Sequence, residues 1–329
     1  MDLSFRRIKR SLEYRLLYKF INSKRYEKLV DEDRKTAIDI MWRFTYSKPF
    51  PWDNPQTLDE KITWLSGMSD TSKWSKYADK YEVRKYVEEQ GLKDILTECY
   101  GVWNSVDEID YDSLPHSFVI KCTHDSGSTV VVRDKDAMDR NAVNAFLREK
   151  LKHKMGYLTC EPHYTSIKPR IMAEELIQFN PDGFSKSLVD YKFWVFNGKA
   201  FWAFICYDRE VGIDAGEGYH VVYDLFDLKT WQPTRQYISE KFRNVVFKDV
   251  PRPKNLDNMI EYAEKLSEGM PLVRVDFYNI DGKIYFGELT FTSNGGRNEF
   301  YTQEFQLLAG NAVDISNVPV TCKILRKVR

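Results

Sequence analysis

The residues with the clearest chemistry are two acids, Asp276 and Glu288, on a stretch where β-branched and aromatic runs flank Asp281-Gly282. That pattern predicts a β-hairpin, and loop length decides what the hairpin displays. A two-residue Asp281-Gly282 turn would place the two acids on opposite faces. A three-residue loop with glycine in the left-handed conformation pairs residues of like parity. The even face then carries Arg274, Asp276, Glu288 and Thr290, and the odd face Val273, Val275, Phe277, Tyr285, Leu289 and Phe291. Two carboxylates side by side repel unless a cation sits between them. Oxygen ligands without Cys or His suit Mg²⁺. The plainer alternatives are solvated surface charges, and for Arg274 a cross-strand ion pair with Glu288.

These acids need a scaffold, and 329 residues suffice for two or three domains with their own cores. A hydrophobic share of 43%, a charged share of 30% and an aromatic share of 15% fit a globular protein with ring-rich interiors. Net charge is zero but uneven: residues 1–28 hold nine Lys/Arg against three Asp/Glu, and residues 322–329 hold four cations and no acid. Basic ends on an acidic body suit an anionic membrane surface, and residues 1–28 read as a basic helix that either lies there or packs on the body. Five scattered cysteines without a CxxC pair point to a reducing cytoplasm, at the inner face of the membrane if the basic ends dock. The histidines lack zinc-ligand spacing, and no apolar run approaches the ~20 residues of a membrane span. No feature points to nucleic acid, and oligomeric state is not encoded legibly.

Helices are expected at 3–30, 31–45, from Thr57 or Asp59 through Leu65, at 70–90, 136–153 and 256–269. Strands are expected at 96–103, 118–122, 130–133 and 170–177, with a hairpin at 190–202 turning on Asn197-Gly198 and a further strand at 221–225. Lys121 interrupts an apolar strand ahead of the small-residue loop Ser126-Gly127-Ser128. Helices interleaved with antiparallel hairpins imply an α+β fold.

Asp79-Lys80 opening a helix, Lys121 before its Ser/Gly loop, Glu174-Glu175-Leu176-Ile177, and Asp276 with Glu288 follow one another in the order of the ATP-grasp superfamily. Over residues 57–296 the chain resembles that superfamily. Asn54 to Leu65, Ala78 to Tyr81, Lys168 to Glu175 and Phe286 to Phe291 look more narrowly like its TupA-like (teichuronopeptide biosynthesis) group. The resemblance implies an ATP-grasp fold, two α+β subdomains gripping ATP between antiparallel sheets. It divides the chain into a helical extension (1–50), a helical pre-grasp segment (51–112), a small subdomain (113–175), a large subdomain (176–320) and a basic tail (321–329).

The resemblance also implies roles. Lys80 and Lys121 would meet ATP phosphates, and Ser126, Gly127 and Ser128 would close over them with backbone N–H groups. Glu174, Glu175, Leu176 and Ile177 would hold adenine, with Asp182 at the ribose. Lys192 would reach the γ-phosphate, Arg274 would stabilise developing negative charge, and Asp276, Glu288 and Thr290 would hold Mg²⁺. Relatives commonly carry Asn where this chain has Thr290, which weakens that third ligand. The implied activity is ATP- and Mg²⁺-dependent joining of a carboxylate, of uronic-acid type, to an amine in cell-surface polysaccharide synthesis. Competing expectations are a nucleotide-sugar glycosyltransferase and a non-catalytic nucleotide-binding scaffold.

Overall fold

The computed structural model describes residues 12–180, 183–210, 220–243 and 245–321. Asp182, the first eleven residues of the basic N-terminal stretch and the basic tail 322–329 lie outside them.

Among the described residues three helices come first: α1 (Leu12–Ile21), α2 (Lys24–Glu32) and α3 (Arg34–Tyr46). The helix expected over 3–30 is broken at Ser23, whose hydroxyl accepts the Tyr26 N–H and starts a new helix. Ile21, Tyr26 and Val30 are buried in the main core, so the described part of this segment packs on the body. Next comes α4 (Leu58–Met68), opened by a capping box in which Thr57 and Glu60 each satisfy the other's backbone N–H.

The helix expected over 70–90 is two, α5 (Ser72–Ala78) and α6 (Glu82–Glu89). Asp79 causes the break. Buried at 2% exposure, it accepts the Tyr81 and Glu82 N–H groups on one oxygen and the Arg170 guanidinium on the other. The break frees the Lys80 N–H to donate to the Thr123 carbonyl at 3.1 Å. Lys80 is thereby fixed beside the end of a strand 40 residues later.

That strand belongs to a four-stranded antiparallel sheet ordered β1 (Cys99–Trp103), β4 (Ile171–Glu174), β2 (Phe118–Cys122), β3 (Val130–Val132). Because β1 joins it, the small sheet begins N-terminal to residue 113. Phe118, Ile120 and Cys122 face a separate core shared with Leu147 of α7 (Arg140–Lys150), so alternation turns Val119 and Lys121 to the opposite face. The one-turn α8 (Pro162–Thr165) precedes β4.

The larger sheet runs β10 (Lys283–Thr290), β9 (Leu272–Ile280), β5 (Asp190–Phe196), β6 (Lys199–Glu210), β7 (His220–Asp227), β8 (Gln232–Pro233), all antiparallel. Phe193, Val195, Val273, Val275, Phe277 and Leu289 pack into one core with Met259, Ala263 and Leu266 of α9 (Leu256–Leu266). The other face is covered in part by Tyr301, which accepts the Trp194 indole N–H at 2.7 Å, and by Phe305 of α10 (Gln303–Ala312).

The β9–β10 hairpin corrects the loop-length expectation. Ile280 pairs with Lys283, so the turn is two residues, with Asp281 at φ 51° and Gly282 at φ 91°. From that turn the acids should part. They do not, because the register shifts between Phe286 and Glu288, and Gly287 is the extra residue of a β-bulge. Past it Glu288 pairs with Asp276 and Thr290 with Arg274. A Cβ on Gly287 would stand 2.9 Å from the Asp276 carbonyl oxygen, so glycine is what fits. The bulge also exchanges the aromatic residues: Phe286, opposite Phe277, takes the core place expected for Tyr285, which pairs with Tyr278 on the site face.

Candidate active site

Register sets the site. Lys192 of β5 pairs with Asp276 of β9, which pairs with Glu288 of β10, giving a transverse row of cation, acid and acid. One step along, Arg274 lies opposite Thr290.

Arg274 is the cation between the acids. Its Nε donates to Asp276 Oδ1 and its Nη2 to Asp276 Oδ2, both at 2.8 Å. Nη2 also reaches Thr290 Oγ1 at 3.0 Å and Glu288 Oε1 at 3.4 Å, while Nη1 donates to Ser293 Oγ at 2.8 Å. The ion pair with Glu288 is therefore present, but Asp276 is the main partner. Lys192 donates to Asp276 Oδ2 at 2.5 Å and stands 3.4 Å from Asp190 Oδ1. Burial alone would raise the Asp276 pKa and lower that of Lys192. The ion pairs prevail, so the Asp276 pKa is lowered and that of Lys192 is raised.

Thr290 Oγ1 accepts from Arg274 and donates to Glu288 Oε1 at 3.1 Å. That use of its hydroxyl makes it a holder of Glu288 before anything else. Glu288 is the open member of the row, its side chain 43% exposed. An all-oxygen set with one exposed carboxylate fits Mg²⁺ in kind, Glu288 offering the accessible oxygen and Asp276 the buried one.

Across from this row lie the lysines. Lys80 donates to the Asp125 carbonyl and has no ion pair among the described residues. Burial depresses its pKa, with the Glu288 charge the largest influence in the other direction. A desolvated ammonium without a carboxylate partner, facing the acid row, fits an anionic ligand. Lys121, by contrast, pairs with Glu174, which also accepts from Thr97 at 2.9 Å and lies 4.0 Å from Arg84. Of the two, Lys80 is the one without an ion pair among the described residues.

In the β2–β3 loop, Ser126 and Gly127 are exposed, with Gly127 at φ 81° and open space around it. Ser128 points inward, accepting the Cys122 N–H at 2.9 Å and donating to Asp125, so its side chain builds the loop. Past β4, Glu175 N–H donates to the Glu98 carbonyl at 2.9 Å. The backbone N–H groups of Leu176 and Ile177 carry no hydrogen bond among the described residues, which leaves them for a ligand.

Three neighbours of the site were not anticipated. Asp190 shares parity with Lys192 and binds both it and Arg209, the latter at 2.6 Å. Tyr278 shares parity with Arg274 and Asp276, and both residues could have been read from strand alternation. Tyr164 of α8 lies within the fields of Glu288, Arg274 and Asp276, with burial and Glu288 raising its pKa. No local sequence signal marks it.

Two antiparallel sheets, one carrying Lys121 with Lys80 tied to its strand end and the other carrying the acid row, define the ATP-grasp class. The sequence profile described as TupA-like ATPgrasp matches residues 60–314, and the chain belongs to that family. ATP-dependent joining of carboxylates to amines is the general activity associated with it. Among solved structures, the chain is similar to an L-amino acid ligase from Bacillus licheniformis (13% identity, 87% of this chain and 63% of that one, TM-score 0.48). It is also similar to a D-alanine–D-alanine ligase from Bacillus anthracis (14% identity, 78% and 71%, TM-score 0.44), likewise solved in complex with ATP. No curated protein matches the sequence. No helix among the described residues is long and apolar enough to cross a membrane.

Proposed function

We propose that this protein is an ATP- and Mg²⁺-dependent ligase that joins a carboxylate to an amine through an acyl phosphate. One observation carries the reading: Lys80, desolvated and without an ion pair among the described residues, faces Glu288 and, behind it, Asp276, Arg274 and Lys192. Such a site can take a polyphosphate at one end and a carboxylate at the other.

Lys80 and Lys121 would hold the phosphates, with the Ser126-Gly127 backbone above them. The Leu176 and Ile177 backbone would receive the base. Mg²⁺ held by Glu288 and Asp276 would neutralise phosphate charge. A substrate carboxylate oxygen attacks the γ-phosphorus, the bond to the bridging oxygen breaks, and ADP leaves. The amine then attacks the acyl carbon, loses a proton, and phosphate departs. Arg274 and Lys192 keep Asp276 ionised and place positive charge where negative charge develops. No covalent enzyme nucleophile is required.

For the finer reading, the family's name supports a cell-surface polysaccharide setting, with a uronic-acid carboxylate as acceptor and an amino acid or amine as donor. Arg15, Lys19, Lys24, Arg25 and Lys28, exposed on the segment that packs on the body through Ile21 and Tyr26, would bring the protein to an anionic membrane surface. The subdomain division given above is proposed with it, with β1 moved from the pre-grasp segment to the small subdomain.

The test is thermal stabilisation by ATP, ADP, UDP-glucose and GDP-mannose with and without Mg²⁺, followed by phosphate release from uronic acids and amines. Stabilisation by ATP or ADP alone, lost in Glu288→Gln when Mg²⁺ is present, supports the ligase. Stabilisation by nucleotide sugars alone overturns it in favour of a glycosyltransferase.

A further inference from the structure

Beneath the β2–β3 loop, on the side of the strand away from Lys121, three buried residues adjoin: Cys122 at 0% exposure, His124 at 2% and Asp125 at 2%. The Cys122 sulfur, a His124 ring nitrogen and an Asp125 carboxylate oxygen lie within 4.8 Å of one another. Metal bonds of about 2.0–2.3 Å hold tetrahedral ligand atoms about 3.3–3.8 Å apart, so small side-chain rotations would close this group on an ion. His124 Nε2 is 3.1 Å from the His153 carbonyl, which can only accept, so Nε2 carries the proton and Nδ1 presents a lone pair.

That Nδ1 is buried with no hydrogen-bond partner, and so is Asp125 Oδ2. Orphaned buried acceptors are costly, and here two belong to adjacent residues beside a thiol. The His124–carbonyl bond is the outer-shell contact that orients imidazole ligands.

We infer that Cys122, His124 and Asp125 form a binding site for a borderline-soft divalent metal of the Zn²⁺ type, distinct from the Asp276–Glu288 row. Thiolate and imidazole exclude Mg²⁺ as the natural occupant. Three protein ligands leave a fourth position for water. The ligating form of Cys122 is the thiolate, so metal entry displaces the thiol proton. The metal ties the end of β2 to the base of the loop. Asp125 also offers its carbonyl to Lys80 and its carboxylate to Ser128, so occupancy stiffens the mount of Lys80. The inference is independent of the ligase reading.

The test is titration of chelator-treated full-length protein with Co²⁺, read as thiolate-to-cobalt charge-transfer absorption and as stoichiometry. The expected result is one equivalent with a charge-transfer band. The band disappears in Cys122→Ala and weakens at least tenfold in apparent affinity in His124→Ala and Asp125→Asn. It is unchanged in His116→Ala, which removes the separate exposed trio His116, Asp134 and Asp136. Absence of a band in the wild-type protein overturns the proposal, as does a band that survives Cys122→Ala. If Cys122→Ala does not fold by circular dichroism, a band unaffected by both His124→Ala and Asp125→Asn overturns it equally.

Discussion

Arg274 and Asp276, two positions apart on β9, form a two-point pair in which Nε meets Oδ1 and Nη2 meets Oδ2, each at 2.8 Å. Alternation puts them on one face, and burial makes each depend on the other. The same guanidinium reaches Glu288, so one side chain supplies charge balance that the sequence read alone assigns to a metal.

The two acids should therefore respond differently to mutation. Asp276→Asn strands Arg274 and Lys192 together and should cost about 3–5 kcal/mol. Glu288→Gln, at a 43% exposed side chain, should change stability by less than about 0.5 kcal/mol while abolishing Mg²⁺-dependent phosphate release. Urea denaturation of both variants checks this. Equal destabilisation would contradict the division between a structural and an open acid.

Gly287→Ala probes the bulge. The added methyl meets the Asp276 carbonyl oxygen at 2.9 Å, so the strands must part or the register must slip. Stability should fall by about 1–3 kcal/mol, and turnover by more than that loss explains, because Glu288 moves relative to Asp276. Turnover like the wild type's in the folded variant would remove the bulge from the catalytic account.

Acid should unfold the protein partly through Glu174. Burial raises its pKa, but Lys121, Thr97 and Arg84 outweigh burial and hold it below the ordinary value. A lowered folded pKa gives stability that is present above the unfolded value, about 4.3, and lost as pH falls through the folded one. The slope of stability against pH below about 5 should be shallower in Glu174→Gln than in the wild type. Identical slopes would mean that the pair contributes no proton linkage.

The lysines should separate by pH and by stability. The pKa of Lys80 is depressed by burial, so ATP affinity should decline as pH rises through that lowered value, and Lys80→Met should bind weakly at every pH. Lys121→Ala should weaken ATP binding and also cost about 3 kcal/mol, because Glu174 is left with an unbalanced buried charge. Isothermal titration across pH and denaturation at pH 7 check these outcomes.

Much of this was legible in the chain. Asp281-Gly282 and Asn197-Gly198 announce their hairpins, and the interruption of an apolar strand by Lys121 marks a two-faced strand. The bulge was not legible, because Gly287 is favoured by the proximity of a neighbouring strand's carbonyl, which local propensity does not contain. The parity argument consequently reached the right face for Asp276 and Glu288 through the wrong loop, and misplaced Tyr285. The break at Asp79 was hidden for a similar reason: beside its local bonds to the Tyr81 and Glu82 N–H groups, its buried charge is balanced by Arg170, 91 residues away. Tyr164 reaches the site only because α8 packs there.

The ring of contacts around Asp59 has a consequence for synthesis on the ribosome. This buried acid, at the start of α4, accepts the Asn298 N–H at 2.9 Å and the Gln306 side-chain amide at 2.8 Å, across separations of 239 and 247 residues. Close by, a Cβ on Gly310 would fall 2.0 Å from the Gln56 carbonyl oxygen, so α10 seats tightly against the entrance to α4. None of these contacts can form until synthesis has passed Asn298, Gln306 and Gly310. Until then α4 is covered from the side of α3 and Trp52, and the side that meets α10 waits, a long-range closure that slows folding.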